Sequence, residues 1–229
     1  GNSIAKIEVD GTVLLDGDGG PGLKFKPDLV WLKKRSGATS HQLADSVRGA
    51  TKFVRANTTG AEVTDANTLK SFNSNGFTVG SDAATNGNND SFVAWCFKAG
   101  GAAVSNSDGS ITSSVSANVA HGFSIVNHVG TNAAGTFGHG LNQAPDLMIF
   151  KNREATDNWF VWARSADGTP TTGGVLNSTN ALFTNGANEL NSTLPTDSVV
   201  HVGSNLATNG NNQDVITYCF HNVPGYQRI

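Results

Sequence analysis

The sequence is poor in the features that mark several large classes of protein. It has no run of about twenty apolar residues, so it offers no helical membrane span. Charged residues make up only 14% of the 229 residues and the net charge is −3, so the charge does not favour nucleic acid or an anionic membrane as a partner. Good helix formers do not occur in runs, so long helices are not expected.

The motifs of common catalytic and metal sites are also missing. The four glutamates stand singly, no strand-like segment carries two alternating acids, and neither Gly-x-Ser-x-Gly nor His-Glu-x-x-His occurs. No two histidines are separated by two or four residues, which disfavours a local metal site; the six are His41, His121, His128, His139, His201 and His221. We therefore expect a protein that is not an enzyme and needs no cofactor.

Two features leave alternatives open. Residues 16–22 resemble a calcium-binding loop, but Pro27 stands where a helix–loop–helix site needs its twelfth-position glutamate, so a loop without Ca2+ is the alternative. Cys96 and Cys219 are expected to be buried thiols, and a disulfide between them is the alternative.

What the sequence does contain is an internal repeat. Residues 27–35 (PDLVWLKKR) return as residues 145–153 (PDLMIFKNR), 118 positions later. Residues 84–89 (ATNGNN) return as residues 207–212, 123 positions later. Ordered matches at nearly constant spacing indicate a tandem repeat, whose two halves we call copy 1 and copy 2.

The repeated stretch predicts a central strand in each copy. Both faces of residues 29–33 and 147–151 are apolar under strand alternation, which is typical of a strand covered on both sides. Each stretch ends in a Lys-x-Arg motif, which begins at Lys33 in copy 1 and at Lys151 in copy 2. A solvated strand end with snorkelling stems is the favoured interpretation, and a basic ligand anchor is the alternative.

Further short strands are predicted throughout, with the strongest turn signals at Asn86-Gly87 and Asn209-Gly210, which favour β-hairpins. Residues 4–15 predict a first strand or hairpin. Residues 41–47 predict a further strand, and a short helix over residues 42–50 is the alternative. The fold class is all-β, with two tandem β-sandwiches at 1–100 and 122–229. Residues 101–121 are expected to link them and to carry an edge strand, and the C-terminal end is expected to begin a further unit.

Several strings carry a resemblance to a known family. They are FKPDLVWLK (25–33), DSVRGATK (45–52), SFNSNGFTVGS (71–81), FVAWCFKAGG (92–101), GSITSSVSAN (109–118) and residues 138–153. Together they resemble a repeat family of marine bacteriophage virion proteins, and the resemblance covers nearly everything after residue 22. It implies concanavalin-like (laminin-G-like) sandwich or jelly-roll modules in a tail fibre or other virion-surface component, and it assigns no catalytic residues.

The leading hypothesis is thus a non-enzymatic virion-surface protein that binds other virion proteins, forms homo-oligomers and contacts host-surface glycans. Capsid decoration, a lectin-like module and a glycan depolymerase with two carboxylates in a groove are the alternatives. If one apolar face of the central strands stays uncovered, exposure of Trp31 and Ile149 would indicate a subunit contact. The candidate contact residues are Trp31, Trp159, Trp162, Asn86, Asn88, Asn209 and Asn211.

Overall fold

The computed structural model of the protein describes residues 7–9, 12–14, 23–164, 172–184 and 186–229. The chain is all-β, as predicted, and its described helices are single turns. It divides into two compact units. Unit 1 comprises Gly1–Asn57 and Glu62–Lys98, and unit 2 comprises Thr58–Ala61 and Ala99–Ile229. The predicted calcium-like loop at residues 16–22 lies outside the described residues.

Unit 1 is built from short antiparallel strands. They are β1 (Ile7–Val9), β2 (Thr12–Leu14), β3 (Leu29–Lys34), β4 (Gln42–Asp45), β5 (Lys52–Phe53), β6 (Val63–Thr64), β7 (Leu69–Asn73), β8 (Gly76–Val79) and β9 (Phe92–Phe97), with the helical turn α1 (Ala83–Asn86) before β9. The main sheet has the order β4-β3-β9, and the other strands form the pairs β1-β2, β5-β6 and β7-β8. The predicted N-terminal hairpin and the strand predicted within residues 41–47 are therefore confirmed.

The core of unit 1 lies on one face of its main sheet. Because side chains alternate along a strand, Val30 and Leu32 of β3 point to the same side as Ala94 of β9. There they pack with buried residues from the smaller pairs, including Phe53 and Phe77. The opposite face of the sheet carries Trp31, whose side chain is half-buried.

Unit 2 contains a larger sheet. Its elements are β10 (Val104–Asn106), β11 (Ser113–Asn118), the 3₁₀ turn Val119–His121, β12 (Phe123–Val129), β13 (Gly135–Gly138), β14 (Leu147–Asn152), β15 (Phe160–Ala163), β16 (Thr172–Val175), β17 (Phe183–Thr184), α2 (Ala187–Leu190), β18 (Val199–Val202), α3 (Leu206–Asn209) and β19 (Asp214–Phe220). Eight strands form one sheet in the order β10-β11-β12-β19-β14-β15-β16-β17, and β13 pairs with β18. Residues 101–121, predicted as a linker with an edge strand, thus supply two strands of this sheet, with β10 at its edge.

The core of unit 2 also lies on one face of its sheet, where Met148, Phe150 and Trp162 pack with residues of β13 and β18. The other face is buried along its centre, since Ile125, Ile216 and Tyr218 are at most 1% exposed. The predicted central position of the repeated strand is confirmed in both units, because β3 lies between β4 and β9, and β14 lies between β15 and β19.

The strand register around the two central strands is the same. Trp31 lies opposite Trp95, and Ile149 lies opposite Tyr218. Trp31 lies opposite Leu43 on its other side, and Ile149 lies opposite Val161. These positions differ by the sequence offsets of the repeat, 118 for β3, β4 and their counterparts and 123 for β9 and β19. Positions can therefore be compared one by one between the copies.

The predicted Asn-Gly hairpins are wrong. Asn86 and Asn209 end the helical turns α1 and α3, and Gly87 and Gly210 have φ of −65° and −58°. The reason is the residue before each turn: Asp82 and Asn205 accept a hydrogen bond from the backbone N–H two residues on, which is the N-cap arrangement that starts a helical turn. The strands on either side of each turn belong to different pairings, so no hairpin forms.

Candidate functional site

An aromatic pair stands on the outer face of the main sheet in unit 1. Trp31 of β3 and Trp95 of β9 lie directly opposite each other, and such cross-strand pairs share one face of the sheet. Their ring centroids are 5.9 Å apart with an interplanar angle of 70°, an edge-to-face contact. Trp95 is 45% exposed, and it is the one large hydrophobic side chain that the described part of unit 1 exposes to this extent.

His41, just before β4, completes the group. The indole Nε1–H of Trp31 donates to His41 Nδ1 at 2.9 Å, and the two ring centroids are 5.9 Å apart. An indole nitrogen can only donate, so Nδ1 is the acceptor and the imidazole proton lies on Nε2. Partial burial and the nearby Lys33 ammonium lower the pKa of His41 below its ordinary value, which keeps the ring neutral. We call Trp31, Trp95 and His41 the aromatic platform.

Amide and hydroxyl groups lie beside the platform. The backbone N–H of His41 donates to Asn57 Oδ1 at 2.9 Å, and Asn57 Nδ2 donates to Ser40 Oγ at 3.4 Å. Asn57 is exposed, so the rest of its hydrogen-bonding capacity is available to a ligand. The platform can therefore stack against an apolar ring face and hydrogen-bond to neighbouring polar groups.

Trp159 and Trp162 do not belong to any exposed site. Both are 0% exposed, so the prediction that one of them offers a stacking ring is wrong. Trp162 packs in the core of unit 2, and Trp159 lies just before β15, where its backbone N–H donates to Asn177 Oδ1 at 2.9 Å. Trp162 lies on the core face of β15, whereas Trp159 lies outside the strand, so alternation along β15 does not decide the exposure of Trp159.

The candidate asparagines divide into two structural and two exposed residues. Asn209 is fully buried: its Oδ1 accepts from Thr131 N–H at 2.9 Å, and its Nδ2 donates to Ala133 O at 2.8 Å and Gly203 O at 2.6 Å. Asn86 Nδ2 makes the corresponding bond to Gly80 O at 2.8 Å. These two asparagines brace loops.

Asn88 and Asn211 are exposed at the turns that follow the braced loops. Within the described residues of unit 1, no hydrogen bond or ring contact joins Asn88 to Trp31.

Lys151 is not the solvated strand end that its position suggested. Its side chain is 0% exposed, and its Nζ donates to the backbone oxygens of Thr59 at 3.1 Å, Ala155 at 3.3 Å and Asp157 at 2.9 Å. Burial lowers its pKa to about 8. The snorkelling interpretation fails because three carbonyls of unit 2 solvate the ammonium in place of water. The half-buried Lys33 follows the prediction more closely, with one bond to Gly37 O at 3.0 Å and another to Lys34 O.

Two carboxylates in unit 1 share one buried guanidinium. Arg48 Nε lies 2.5 Å from Asp45 Oδ2, and Arg48 Nη1 lies 3.2 Å from Glu62 Oε2. The side chains of Arg48 and Asp45 are fully buried, and that of Glu62 is 13% exposed. Because Arg48 pairs with both carboxylates, this group ties the end of β4 to the start of β6.

Metal and membrane features were sought in the same residues. In the described ranges no group of three or more His, Cys, Asp or Glu side chains is arranged to hold a metal ion. No described helix has the length and apolar character that a membrane crossing requires. Cys96 and Cys219 are free thiols, and burial raises the pKa of each to about 12.

Sequence reasoning did not single out Trp95 or His41. The alternation of residues 92–97 places Trp95 on the face opposite Ala94, and the strand order β4-β3-β9 then puts it next to Trp31. The alternation was available from the sequence, but the register of β9 against β3 was not. His41 lies outside a strand, so periodicity gave no signal for it.

Comparison with known proteins gives one match. The profile of a family described as a domain of unknown function, DUF7483, matches residues 11–229. No curated protein and no solved structure matches the chain.

Proposed function

The chain belongs to the DUF7483 family, and we propose that it is a non-enzymatic bacteriophage virion-surface protein that acts by presenting contact surfaces. In this proposal copies 1 and 2 are tandem β-sandwich modules of concanavalin-like type in a tail fibre or similar appendage. The protein assembles with other virion proteins and with further copies of itself.

One observation carries the proposal: a single framework recurs in both copies with different surface side chains. Asp28 N–H donates to Phe97 O at 2.8 Å, and Asp146 N–H donates to Phe220 O at 2.7 Å. Ser46 N–H donates to Asp28 O at 2.8 Å, and Arg164 N–H donates to Asp146 O at 2.7 Å. A repeated scaffold that varies in what it displays is typical of proteins that bind through surfaces.

The side chains outside the framework support contact better than catalysis. The aromatic platform contains the exposed Trp95, and its His41 is bound to an indole and not to a nucleophile or a carboxylate. Asp45 and Glu62 both pair with Arg48 and are largely buried, which suits a structural role. General acid–base chemistry needs carboxyl groups within reach of a substrate.

The experiment is immunogold electron microscopy. Antibodies raised against the purified chain are applied to phage particles from the source of the sequence, with particles pre-incubated with excess free chain as the control for specific labelling. Label concentrated on a tail or fibre, at a copy number consistent with its symmetry, supports the proposal.

Two other outcomes are informative. Label spread regularly over the head would replace the tail-fibre role with capsid decoration. Absence of label on particles, together with a free monomer that turns over a substrate, would overturn the proposal.

A further inference from the structure

We propose that the aromatic platform of unit 1 binds a pyranose sugar. The apolar face of the sugar ring stacks on Trp95, and its hydroxyl groups bond to His41 Nε2–H and to the amide of Asn57. This inference rests on the proposed function and names the ligand class of its contact surface.

The size of the exposed apolar area selects a small ligand. A tryptophan side chain offers about 250 Å2 at most, so the 45% exposed Trp95 presents roughly 100 Å2. A stable protein interface buries about 800 Å2 per partner. Trp31 adds little because it is half-buried. The platform is therefore one ring wide, which matches a sugar and not a subunit.

The polar groups around the ring select a hydroxylated ligand. His41 Nδ1 is occupied by the Trp31 indole, which leaves the Nε2–H without a partner among the described residues. The exposed Asn57 offers both a donor and an acceptor. Pyranoses combine one apolar ring face with an edge of hydroxyls that need neutral donors and acceptors, and these residues supply both. Since Trp31 contacts both Trp95 and His41, the two ends of the platform lie within reach of one or two sugar rings.

Copy 2 lacks the platform at the same positions. The counterparts of Trp31, Trp95 and His41 are Ile149, Tyr218 and Trp159. Tyr218 and Trp159 are 1% and 0% exposed. The framework alone therefore does not require exposed aromatic rings at these positions, and their exposure in copy 1 is a property of that copy.

The test uses saturation-transfer difference NMR on the full chain, with methyl β-D-galactopyranoside, methyl β-D-glucopyranoside, lactose and cellobiose as probes. We expect transfer to the ring protons of at least one of the four. Trp95→Ala should weaken that binding roughly tenfold or more, because it removes the stacking surface. Trp95→Phe should retain most of it. His41→Phe keeps a ring against Trp31 but removes the donor, and should weaken binding several-fold.

The matched control is Tyr226→Ala, which removes a 63% exposed aromatic side chain from unit 2 and should leave binding unchanged. Equal binding by wild type and Trp95→Ala, loss of binding in Tyr226→Ala, or no transfer to any probe would overturn the inference. Analytical sedimentation of the same samples tests whether a second copy of the chain binds at the platform instead. A dimer that Trp95→Ala abolishes would assign this face to a second copy and overturn sugar binding. Immunogold labelling does not depend on Trp95, so failure of sugar binding and failure of the proposed function give different results.

Discussion

The two copies share a strand register and matching backbone hydrogen bonds, but equivalent side chains differ in how far they are exposed. Trp95 is 45% exposed, and its counterpart Tyr218 is 1% exposed. Lys33 and Asn86 are half-buried, and their counterparts Lys151 and Asn209 are 0% exposed. The difference shows that the framework bonds fix the strands and loops, whereas exposure is decided separately at each position.

The chemistry changes with the exposure. At the end of β3, Lys34 Nζ lies 2.6 Å from Asp90 Oδ2, and both side chains are partly exposed. At the equivalent place in copy 2, Asn152 Nδ2 donates to Gln213 Oε1 at 2.7 Å, and Asn152 is fully buried. An ion pair is tolerated where water screens it, and a neutral hydrogen bond avoids the cost of burying charge.

The largest expected effect comes from the two bracing asparagines. Asn209→Ala would remove the partner of the Thr131 N–H and of the Gly203 carbonyl, and would leave the Ala133 carbonyl with only a 3.4 Å bond from Thr131 Oγ1. It should lower the free energy of unfolding by about 4 kcal/mol. Asn86→Ala removes a single bond to Gly80 O and should cost about 1 kcal/mol. Urea unfolding measures both losses.

Hydrogen exchange followed by mass spectrometry assigns each of these losses to a unit. The comparison fails if the two substitutions cost the same, or if Asn209→Ala loosens unit 1 and not unit 2.

The buried lysine gives the next effect. Lys151→Met leaves the Ala155 and Asp157 carbonyls without a donor and removes one of the two donors to Thr59 O, so it should cost about 3 kcal/mol at pH 7. Lys33→Met, at the equivalent half-buried position, is the matched control and should cost clearly less. Urea unfolding at pH 7 measures both losses. Similar losses of unfolding free energy in the two variants would show that the three carbonyl bonds of Lys151 add no stability beyond that of the half-buried Lys33.

The pH dependence of Lys151 has a definite sign. Its pKa is about 8 in the folded protein, against an ordinary value of 10.5. Between these values the unfolded chain binds the proton and the folded chain does not, so the stability of the wild type should rise with pH across that window. This rise should be absent in Lys151→Met.

Acid should destabilise unit 2 more than unit 1. His128 is fully buried, donates from Nε2 to Thr208 O at 3.1 Å and stacks on Phe137. Burial lowers its pKa from 6.5 to about 4, so the folded protein keeps it neutral while the unfolded chain takes up a proton as the pH falls below 6.5. Stability is therefore full above pH 6.5, falls by about 2 kcal/mol between pH 6.5 and 5, and continues to fall towards pH 4.

Urea unfolding at pH 7 and pH 5, with hydrogen exchange to separate the units, measures this loss. His128→Phe should reduce the difference between the two pH values. Unit 1 contains one histidine, the partly exposed His41, and should change less. An equal loss in both units would contradict the assignment to His128.

Much of the fold could be predicted from the sequence, because strand periodicity and the repeat are local signals. The all-β class and the central position of β3 and β14 followed from apolar residues on both faces of those stretches. The Asn-Gly turns were predicted wrongly because the outcome depended on Asp82 and Asn205, whose side chains start a helical turn that competes with the hairpin.

Less of the site could be predicted, because exposure depends on long-range packing. The local sequence around Trp159 and Trp162 is compatible with a strand that is exposed on one face. Only the folded structure shows that both side chains are buried. Lys151 followed a strand-end pattern typical of solvated lysines, and the carbonyls that hold it include Thr59, 92 positions earlier in the chain. Trp95 lies opposite Trp31 because of the register between β3 and β9, which no local sequence pattern specifies.

The smallest effect should come from giving copy 1 the polar pair of copy 2. The double substitution Lys34→Asn and Asp90→Gln replaces the ion pair with the amides found at Asn152 and Gln213. Its stability should stay close to that of the wild type, because partly exposed ion pairs contribute little. The Lys34 ammonium, with Ser36, holds the pKa of Asp90 below its ordinary value, so the wild-type pair is charged at neutral pH and is weakened by salt.

Unfolding in low and high salt distinguishes the two chemistries. The wild type should lose a small part of its stability on going to 1 M salt through this pair, and the double variant should lose less. The single variant Lys34→Asn is the control, since it leaves Asp90 charged and without its lysine, and it should be the least stable of the three at low salt. If the double variant is less stable than Lys34→Asn, the amide pair of copy 2 depends on its burial and cannot be transferred to an exposed strand end.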